Sequence, residues 1–180
     1  MLEDKLLVWK LRYGSRDALC RIYEKYRNDL LALAVALSND KALAEDIVHD
    51  VFVSFAELGG RLQLRGSLKS YLAAGIANRV RNLRRAKSQQ PLRLDEAAVV
   101  ASGSDGPQQL AISAEQSRLI GGAMAKLPYQ QREVIILHLQ AGLRFRAIAK
   151  SQGVSVNTIQ SRYRYGLDKL QSILNGEVKK

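Results

Sequence analysis

Apolar residues recur at three- and four-residue spacing along most of this chain, and valine-rich alternating runs typical of strands are absent. Such spacing places the aliphatic side chains of each segment on one side of a helix. The spacing in the first half of the chain therefore predicts four helices packed as a bundle. Asn39 and Asp40 are predicted to form a turn and an N-cap between the second and the third helix. These helices are predicted over Leu2–Tyr13, Ser15–Leu37, Lys41–Leu58 and Ser67–Lys87.

The periodic pattern fails between Ser88 and Gln108, a segment that contains two of the three prolines and a Gly-Ser-Asp-Gly cluster. This composition is typical of a flexible linker. Periodicity resumes near Leu110, with breaks at Pro128, Gly142 and Gly153. We therefore predict an all-α fold of two small helical domains: an N-terminal helical bundle over 1–87, a flexible linker over 88–109 and a C-terminal domain of four short helices over 110–176.

The charge of the chain points to a polyanionic partner. A hydrophobic fraction of 47% is ordinary for a folded domain, but a net charge of +11 is not, and nucleic acid is the first partner to consider. Acidic residues are missing from Gly59 to Leu94 and again from Val134 to Leu167, so the sequence predicts two basic surfaces. No apolar run approaches the roughly 18 residues of a membrane span, so a cytoplasmic protein without membrane insertion is expected.

The C-terminal domain contains the spacing of a helix-turn-helix. Ala149 allows two helices to cross closely, Gly153 can take the positive φ of the turn, and Ile159 would anchor the second helix inward. The second helix should begin at Ser155 or Val156. Its amide, hydroxyl and guanidinium side chains are groups that base edges and phosphates accept. The predicted DNA contacts are Ser155, Asn157, Thr158, Gln160, Ser161, Arg162 and Arg164.

Two sets of motifs resemble a known family. Leu127-Pro128 followed by QQREVIILHLQAGLRFRAIAKSQGVSVNTIQSRYRYGLDKL resembles region four of the sigma factors of bacterial RNA polymerase, especially the extracytoplasmic-function (ECF) group. IYEKYRNDLLALA, Ala44–Phe52, Arg65–Leu72 and Ala77–Arg79 resemble region two of the same family. The sets stand in the right order and cover nearly the whole chain. The resemblance implies a non-enzymatic subunit that gives RNA polymerase its promoter specificity, with region four reading the minus-thirty-five element.

The resemblance also assigns roles within the N-terminal domain. The helix from Ala44 to Glu57 would dock on the clamp helices of the polymerase, through Asp46, His49, Asp50 and an exposed Phe52. The next helix and the loop before it would capture the melted minus-ten strand, with Asn78 as the expected base contact. Basic groups along a backbone path beside an aromatic ring suit single-stranded DNA. The residues assigned to the strand are Arg65, Lys69, Tyr71, Asn78, Arg79 and Arg81.

Two positions depart from the family pattern. A tryptophan usually stands where this chain has Tyr71, which leaves less area for stacking. A glutamate commonly precedes the Ile-Ala of the helix-turn-helix, where this chain has Ala147. The second departure removes an acceptor for cytosine.

The sequence offers little for catalysis. His49 and His138 are the only histidines, they are far apart in the sequence, and Cys20 is a lone cysteine in an apolar spacing that predicts a buried packing residue. Glu45, Asp46 and Asp50 lie near one another without a phosphate-binding loop. We therefore predict no enzyme activity, no metal site and no cofactor.

Two other functions compete with a working sigma factor. An ordinary two-domain regulator would explain the C-terminal basic surface, but a dimerisation bundle has no need of the basic helix around Arg79. A sigma-like protein that occupies polymerase without melting promoters would fit the departures at Tyr71 and Ala147. The expected partners are core RNA polymerase, promoter DNA and an anti-sigma protein, and the free chain is expected to be a monomer.

Overall fold

A computed structural model of the 180-residue chain describes residues 2–58, 64, 66–89 and 118–178. Every regular element within these ranges is a helix, which confirms the predicted all-α fold. The chain divides into two compact units, one within Met1–Leu94 and the other within Asp95–Lys180. The predicted linker over 88–109 lies almost entirely outside the described residues.

The N-terminal unit contains α1 (Leu2–Arg12), α2 (Arg16–Ser38), α3 (Lys41–Leu58) and α4 (Leu68–Gln89). Helix α2 is central, because it packs against each of the other three, and α3 also packs on α4. The core side chains are fully buried, and each contributes about 1.5–3 kcal/mol by leaving water. The largest are Ile22, Leu30, Leu33, Leu37, Ile47, Phe55, Leu68, Leu72 and Ile76.

Short polar contacts determine where these helices begin and end. Ser15 caps α2, since its Oγ accepts the Ala18 N–H at 3.3 Å. Asn39 takes the left-handed conformation at φ 58° and ends α2. Asp40 caps α3, because its Oδ1 accepts the Leu43 N–H at 3.0 Å. The predicted turn and N-cap at Asn39-Asp40 are therefore confirmed.

A polar cluster ties α1 to α2 at the edge of this unit. Lys25 Nζ donates to Glu3 Oε2 at 2.5 Å and to Asp4 Oδ1 at 2.8 Å. Partial burial works to raise the pKa of Asp4, but hydrogen bonds from Lys25 and Tyr26 outweigh it, so this pKa lies below its ordinary value. The hydrogen bonds to Asp4 and Glu3 raise the pKa of Lys25. Burial, followed by the hydrogen bond to Asp4, raises the pKa of Tyr26 to about 12.

Cys20 is exposed on α2, so its predicted burial is wrong. The inward face of α2 begins with Ala18, Ile22 and Tyr26, which follow one another at four-residue spacing. Cys20 lies two residues from both Ala18 and Ile22, which is about half a helical turn. Ala18 and Ile22 therefore face the core while the side chain of Cys20 does not.

The C-terminal unit contains α5, whose described part covers 118–125, followed by α6 (Tyr129–Leu139), α7 (Phe145–Gln152) and α8 (Val156–Val178). The predicted breaks at Pro128, Gly142 and Gly153 each separate two helices. Helix α8 is 23 residues long, so the expectation of four short helices is wrong for this element. Gly166 allows α8 to approach α6 closely, because a Cβ at that position would lie 2.8 Å from Ile135 Cδ1.

Candidate nucleic-acid and polymerase interfaces

Helix α4 presents an exposed polar and basic face. Tyr71 and Asn78 are seven residues apart and therefore lie on the same side of the helix, and both side chains are exposed. Asn78 Oδ1 accepts a hydrogen bond from Arg81 Nη2. The Tyr71 ring also lies 6.1 Å from the ring of Phe55, which supports it from beneath. An aromatic ring, an amide and a guanidinium therefore lie along one face of α4.

Two other residues assigned to the strand are held by acids of neighbouring helices. Arg79 Nη2 lies 2.5 Å from Asp50 Oδ2 of α3, and Lys69 Nζ lies 2.6 Å from Asp29 Oδ2 of α2. Lys69 is two residues from Tyr71 and so lies away from the face of Tyr71 and Asn78. Both pairs are solvent-exposed, and such pairs are weak. Arg65 falls outside the described residues.

The residues assigned to polymerase binding divide into an exposed set and a buried one. Asp46, His49 and Asp50 share a face of α3 at three- and four-residue spacing, with Asp50 partly covered by its pairing to Arg79. Val53 continues this face and is exposed. Sequence reasoning missed Val53, although its seven-residue distance from Asp46 was a signal that could have found it.

Phe52 is only 6% exposed, so the expectation of an exposed apolar contact there is wrong. Its ring meets the ring of Tyr23 edge to face at 4.8 Å. Phe52 lies three residues from Phe55 and four from Val48, both of which are buried. These spacings place it on the inner side of α3.

The helix-turn-helix has the geometry that its sequence predicts. Gly153 takes φ 67° and its N–H donates to the Ala149 carbonyl, which ends α7. Ile159 is fully buried and Ala149 nearly so. Helix α8 begins at Val156, and Ser155 caps it, since its Oγ accepts the Thr158 N–H at 3.1 Å. Ser155 and Val156, the two positions at which the sequence predicted this helix to begin, therefore both lie at its start.

The seven residues assigned to duplex DNA fall into two groups. Asn157, Gln160 and Arg164 follow one another at three- and four-residue spacing, are exposed, and form one face of α8 together with the partly exposed Ser161. The rest are engaged within the protein. Ser155 and Thr158 join their hydroxyls at 2.9 Å in the cap, and Arg162 Nη1 donates to Gln152 Oε1 of α7 at 2.8 Å. Sequence reasoning missed Gln152, because nothing in the local pattern couples it to a residue ten positions later.

The two positions that depart from the family pattern are both at the surface. Ala147 is exposed near the start of α7, between the exposed Arg146 and the buried Ile148. Arg144 precedes α7 and is also exposed. The exposed surface of α7 is therefore basic and lacks a carboxylate.

His138 has a packing role within the C-terminal unit. Its Nδ1 donates to the Leu143 carbonyl at 2.8 Å, and its ring stacks on Phe145 at 4.3 Å. A second contact joins it edge to face with Tyr163 at 5.1 Å. Within the described ranges, no group of three or more His, Cys, Asp or Glu side chains is placed to hold a metal ion. None of the helices in these ranges is long and apolar enough to span a membrane.

Two models of one protein family match this chain. The model for sigma-70 region 2 matches residues 22–90, and the model for sigma-70 region 4 matches residues 117–170. Both models describe regions of transcription-initiation factors rather than of enzymes. The chain belongs to the sigma-70 family, whose members are non-enzymatic transcription-initiation factors, and its relatives place it with the ECF group.

Similar proteins support this assignment over different lengths. The RNA polymerase sigma-H factor of Pseudomonas aeruginosa is 24% identical over 185 residues and is matched across 96% of both chains. The ECF RNA polymerase sigma factor SigM of Mycobacterium tuberculosis is 25% identical across 83% of this chain and 73% of its own. A probable RNA polymerase sigma factor of Xanthomonas campestris, RfaY, is 28% identical across 83% of this chain, which spans only 38% of that relative.

Two solved structures share the fold. CnrH, determined in complex with the cytosolic domain of CnrY, superposes with a TM-score of 0.68 at 18% identity and covers 97% of this chain and 98% of its own. The sigma factor RpoE of Bartonella quintana, determined in complex with the anti-sigma factor NepR, gives a TM-score of 0.65 at 21% identity. That match covers 86% of this chain and 97% of RpoE.

Proposed function

We propose that this protein binds core RNA polymerase in the cytoplasm and directs transcription from specific promoters. The N-terminal unit captures the melted minus-ten strand, and the helix-turn-helix reads the minus-thirty-five duplex. The observation that carries the proposal is the face of α4 formed by Tyr71, Asn78 and Arg81 in a segment without acids. A bundle that only dimerised would have no use for such a face.

Strand capture follows from the chemistry of that face. The Asn78 amide can read the edge of an unstacked base, and the Tyr71 ring offers a surface on which a base can stack. The guanidinium group of Arg81 supplies positive charge on this face for the phosphates, and Arg79, next to Asn78 in the sequence, adds charge at its edge. Arg65, which precedes α4 in the sequence, and Lys69 are the further basic residues proposed to bind the strand.

Duplex recognition is assigned to the exposed face of α8. Asn157, Gln160 and Arg164 can reach base edges in a major groove, because amide and guanidinium groups make bidentate contacts there. Ser155 and Thr158, at the N-terminus of α8, and Arg162 are proposed to bind phosphates at the edge of this face, because a helix N-terminus and a guanidinium both attract phosphate groups. Free of polymerase, the protein should bind promoter DNA weakly and with strong salt dependence.

Polymerase binding is assigned to α3. Asp46, His49 and Asp50 supply charge on its exposed face, and Val53 adds apolar area next to them. Phe52 supports this face from within the core. An anti-sigma protein is the proposed inhibitor of the free monomer, on the precedent of the RpoE complex with NepR.

Run-off transcription with purified core polymerase on a genomic promoter library tests the proposal. Wild type should produce specific transcripts, and Asn78→Ala should reduce them while core binding is retained. Asn28→Ala is the matched control, because it removes the same side chain from an exposed position of α2 outside the proposed surfaces. Core binding without any transcript would favour a protein that only occupies polymerase. Failure to bind core would favour an ordinary regulator.

A further inference from the structure

Helix α1 has two apolar faces, and only one of them is used by the fold. Leu7, Val8 and Leu11 are buried against the rest of the N-terminal unit. On the other side, Leu6 is 52% exposed, Trp9 55% and Tyr13, just beyond the helix end, 77%. Their spacing of three and four residues places all three along one line, called here the α1 stripe.

The α1 stripe is already ordered for binding. The rings of Trp9 and Tyr13 contact each other with centroids 4.9 Å apart and planes tilted by 57°. A surface whose side chains are held before binding loses less conformational entropy when a partner docks. Tryptophan and tyrosine are also the residue types that contribute most at protein interfaces. Single exposed apolar residues are ordinary on protein surfaces, but three in line on one helix indicate a contact surface.

The charge beside the α1 stripe indicates what would bind there. Lys5, Lys10 and Arg12 flank it and are exposed. The two acids of α1, Glu3 and Asp4, are both hydrogen-bonded to Lys25 of α2, which offsets one of their two negative charges, and the three basic residues outweigh the other. The field presented by the stripe is therefore positive, and a second copy of this basic chain would be repelled.

We propose that the α1 stripe binds an acidic amphipathic helix of another protein. A helix with leucines at three- and four-residue spacing would pack along Leu6, Trp9 and Tyr13, while its glutamates would face Lys5 and Lys10. The stripe lies before residue 22, outside both segments that match the family models. The inference therefore goes beyond the proposed promoter and polymerase contacts and does not depend on them.

Trp9 is the single tryptophan of the chain, so its fluorescence reports directly on the α1 stripe. In the dilute full-length protein, the emission maximum should be that of a solvated indole. A synthetic helical peptide with leucines along one face and glutamates elsewhere should shift this maximum to shorter wavelength with saturation. The same peptide with lysines in place of the glutamates should produce no shift.

Anisotropy of the labelled acidic peptide measures the variants. Trp9→Ala and Tyr13→Ser should each weaken binding by about tenfold, the usual cost of removing an interface anchor. Lys10→Glu should weaken it as well, and this loss should shrink as salt rises. Leu139→Ala is the matched control, because it removes an exposed leucine from α6 and should leave the affinity unchanged.

Each remaining outcome overturns the proposal. A blue-shifted emission in the dilute free chain would mean that the stripe is covered within the protein. A shift that grows with protein concentration alone would assign the stripe to a second copy. A shift with phosphatidylglycerol vesicles but not with the acidic peptide would assign it to a membrane surface. Equal binding of the acidic peptide and its lysine form would contradict the charge argument. Binding of neither peptide would contradict the proposed docking surface itself.

Discussion

Arg79 of α4 and Asp50 of α3 form an ion pair, with Nη2 and Oδ2 2.5 Å apart. Arg79 is assigned to the promoter strand and Asp50 to the polymerase, so the pair joins the two proposed surfaces of the N-terminal unit. About half of each side chain remains exposed. Solvent screens such a pair, and its contribution to folding stability is at most about 1 kcal/mol.

Asp50→Asn should leave the Arg79 charge without this internal counter-ion. We expect the free full-length chain to bind a single-stranded oligonucleotide up to about fivefold more tightly, because this fold-change corresponds to the free energy of a solvent-exposed ion pair. Fluorescence anisotropy at low salt measures the affinity. Asp17→Asn is the control, because it makes the same charge change while breaking the pair between Asp17 and Arg21 within α2. An equal gain in both variants would show that net charge alone is responsible.

Phe52→Ala should destabilise the N-terminal unit by about 3–5 kcal/mol, because it removes a buried ring that packs on Tyr23. Denaturant unfolding measures the change. Val53→Ala is the control on the same helix, and its exposed side chain should cost less than about 1 kcal/mol. A small effect of Phe52→Ala on stability, combined with a large loss of polymerase binding, would mean that Phe52 contacts the polymerase directly.

Gly153→Ala should destabilise the helix-turn-helix by about 1–2 kcal/mol, since the turn holds φ at 67°. Thermal unfolding of the full chain measures it. Gly176→Ala provides a contrast, because this glycine lies within α8 in open space without a positive φ. There the alanine should raise stability by up to about 1 kcal/mol. A loss of stability in both variants would argue against the backbone explanation.

Gln160→Ala should reduce transcription from the preferred promoter about tenfold or more and relax the preference at one base pair of the minus-thirty-five element. A bidentate base contact is typically worth about 1–3 kcal/mol of discrimination. Competition among promoter variants in the run-off assay gives both quantities. Gln171→Ala, also exposed on α8, should behave as wild type. A uniform loss on all sequences would identify Gln160 as a phosphate contact instead.

The contact between α1 and α2 should depend on pH at both ends of the range. Because the pKa of Asp4 is lowered in the folded protein, its ionised carboxylate stabilises the fold above the ordinary pKa of 3.8. This stabilisation is lost as pH falls through the pKa of the folded state. The pKa values of Lys25 and Tyr26 are raised, so their contributions are present below about pH 10 and are lost as pH rises further.

The free energy of unfolding between pH 7 and 12 tests the alkaline side, where Tyr26→Phe should flatten the loss of stability above pH 10 because phenylalanine does not titrate. Tyr13→Phe removes the same hydroxyl from an exposed ring near the end of α1 and should keep the wild-type profile. Identical alkaline profiles for wild type and Tyr26→Phe would contradict the assignment of the raised pKa to burial and to Asp4.

Local chemistry explains why so much could be predicted from the sequence. The three- and four-residue period predicts where helices lie, and Asn39, Asp40 and Gly153 act through their own backbone or through groups within three or four residues. Ala149 and Ile159 were likewise predicted to face inward and are buried. Each of these features could therefore be predicted without knowing how distant parts of the chain pack.

Only the tertiary structure decided which apolar and charged side chains meet. Phe52 lies beneath Tyr23 and Cys20 faces solvent, because the inward direction of a helix depends on where its neighbours pack. Lys69 reaches Asp29, 40 positions earlier, and Arg162 reaches Gln152 across the turn. The α1 stripe has the same origin. Periodicity shows that α1 is apolar, but only the position of α2 determines that Leu7 is buried while Trp9 is left exposed.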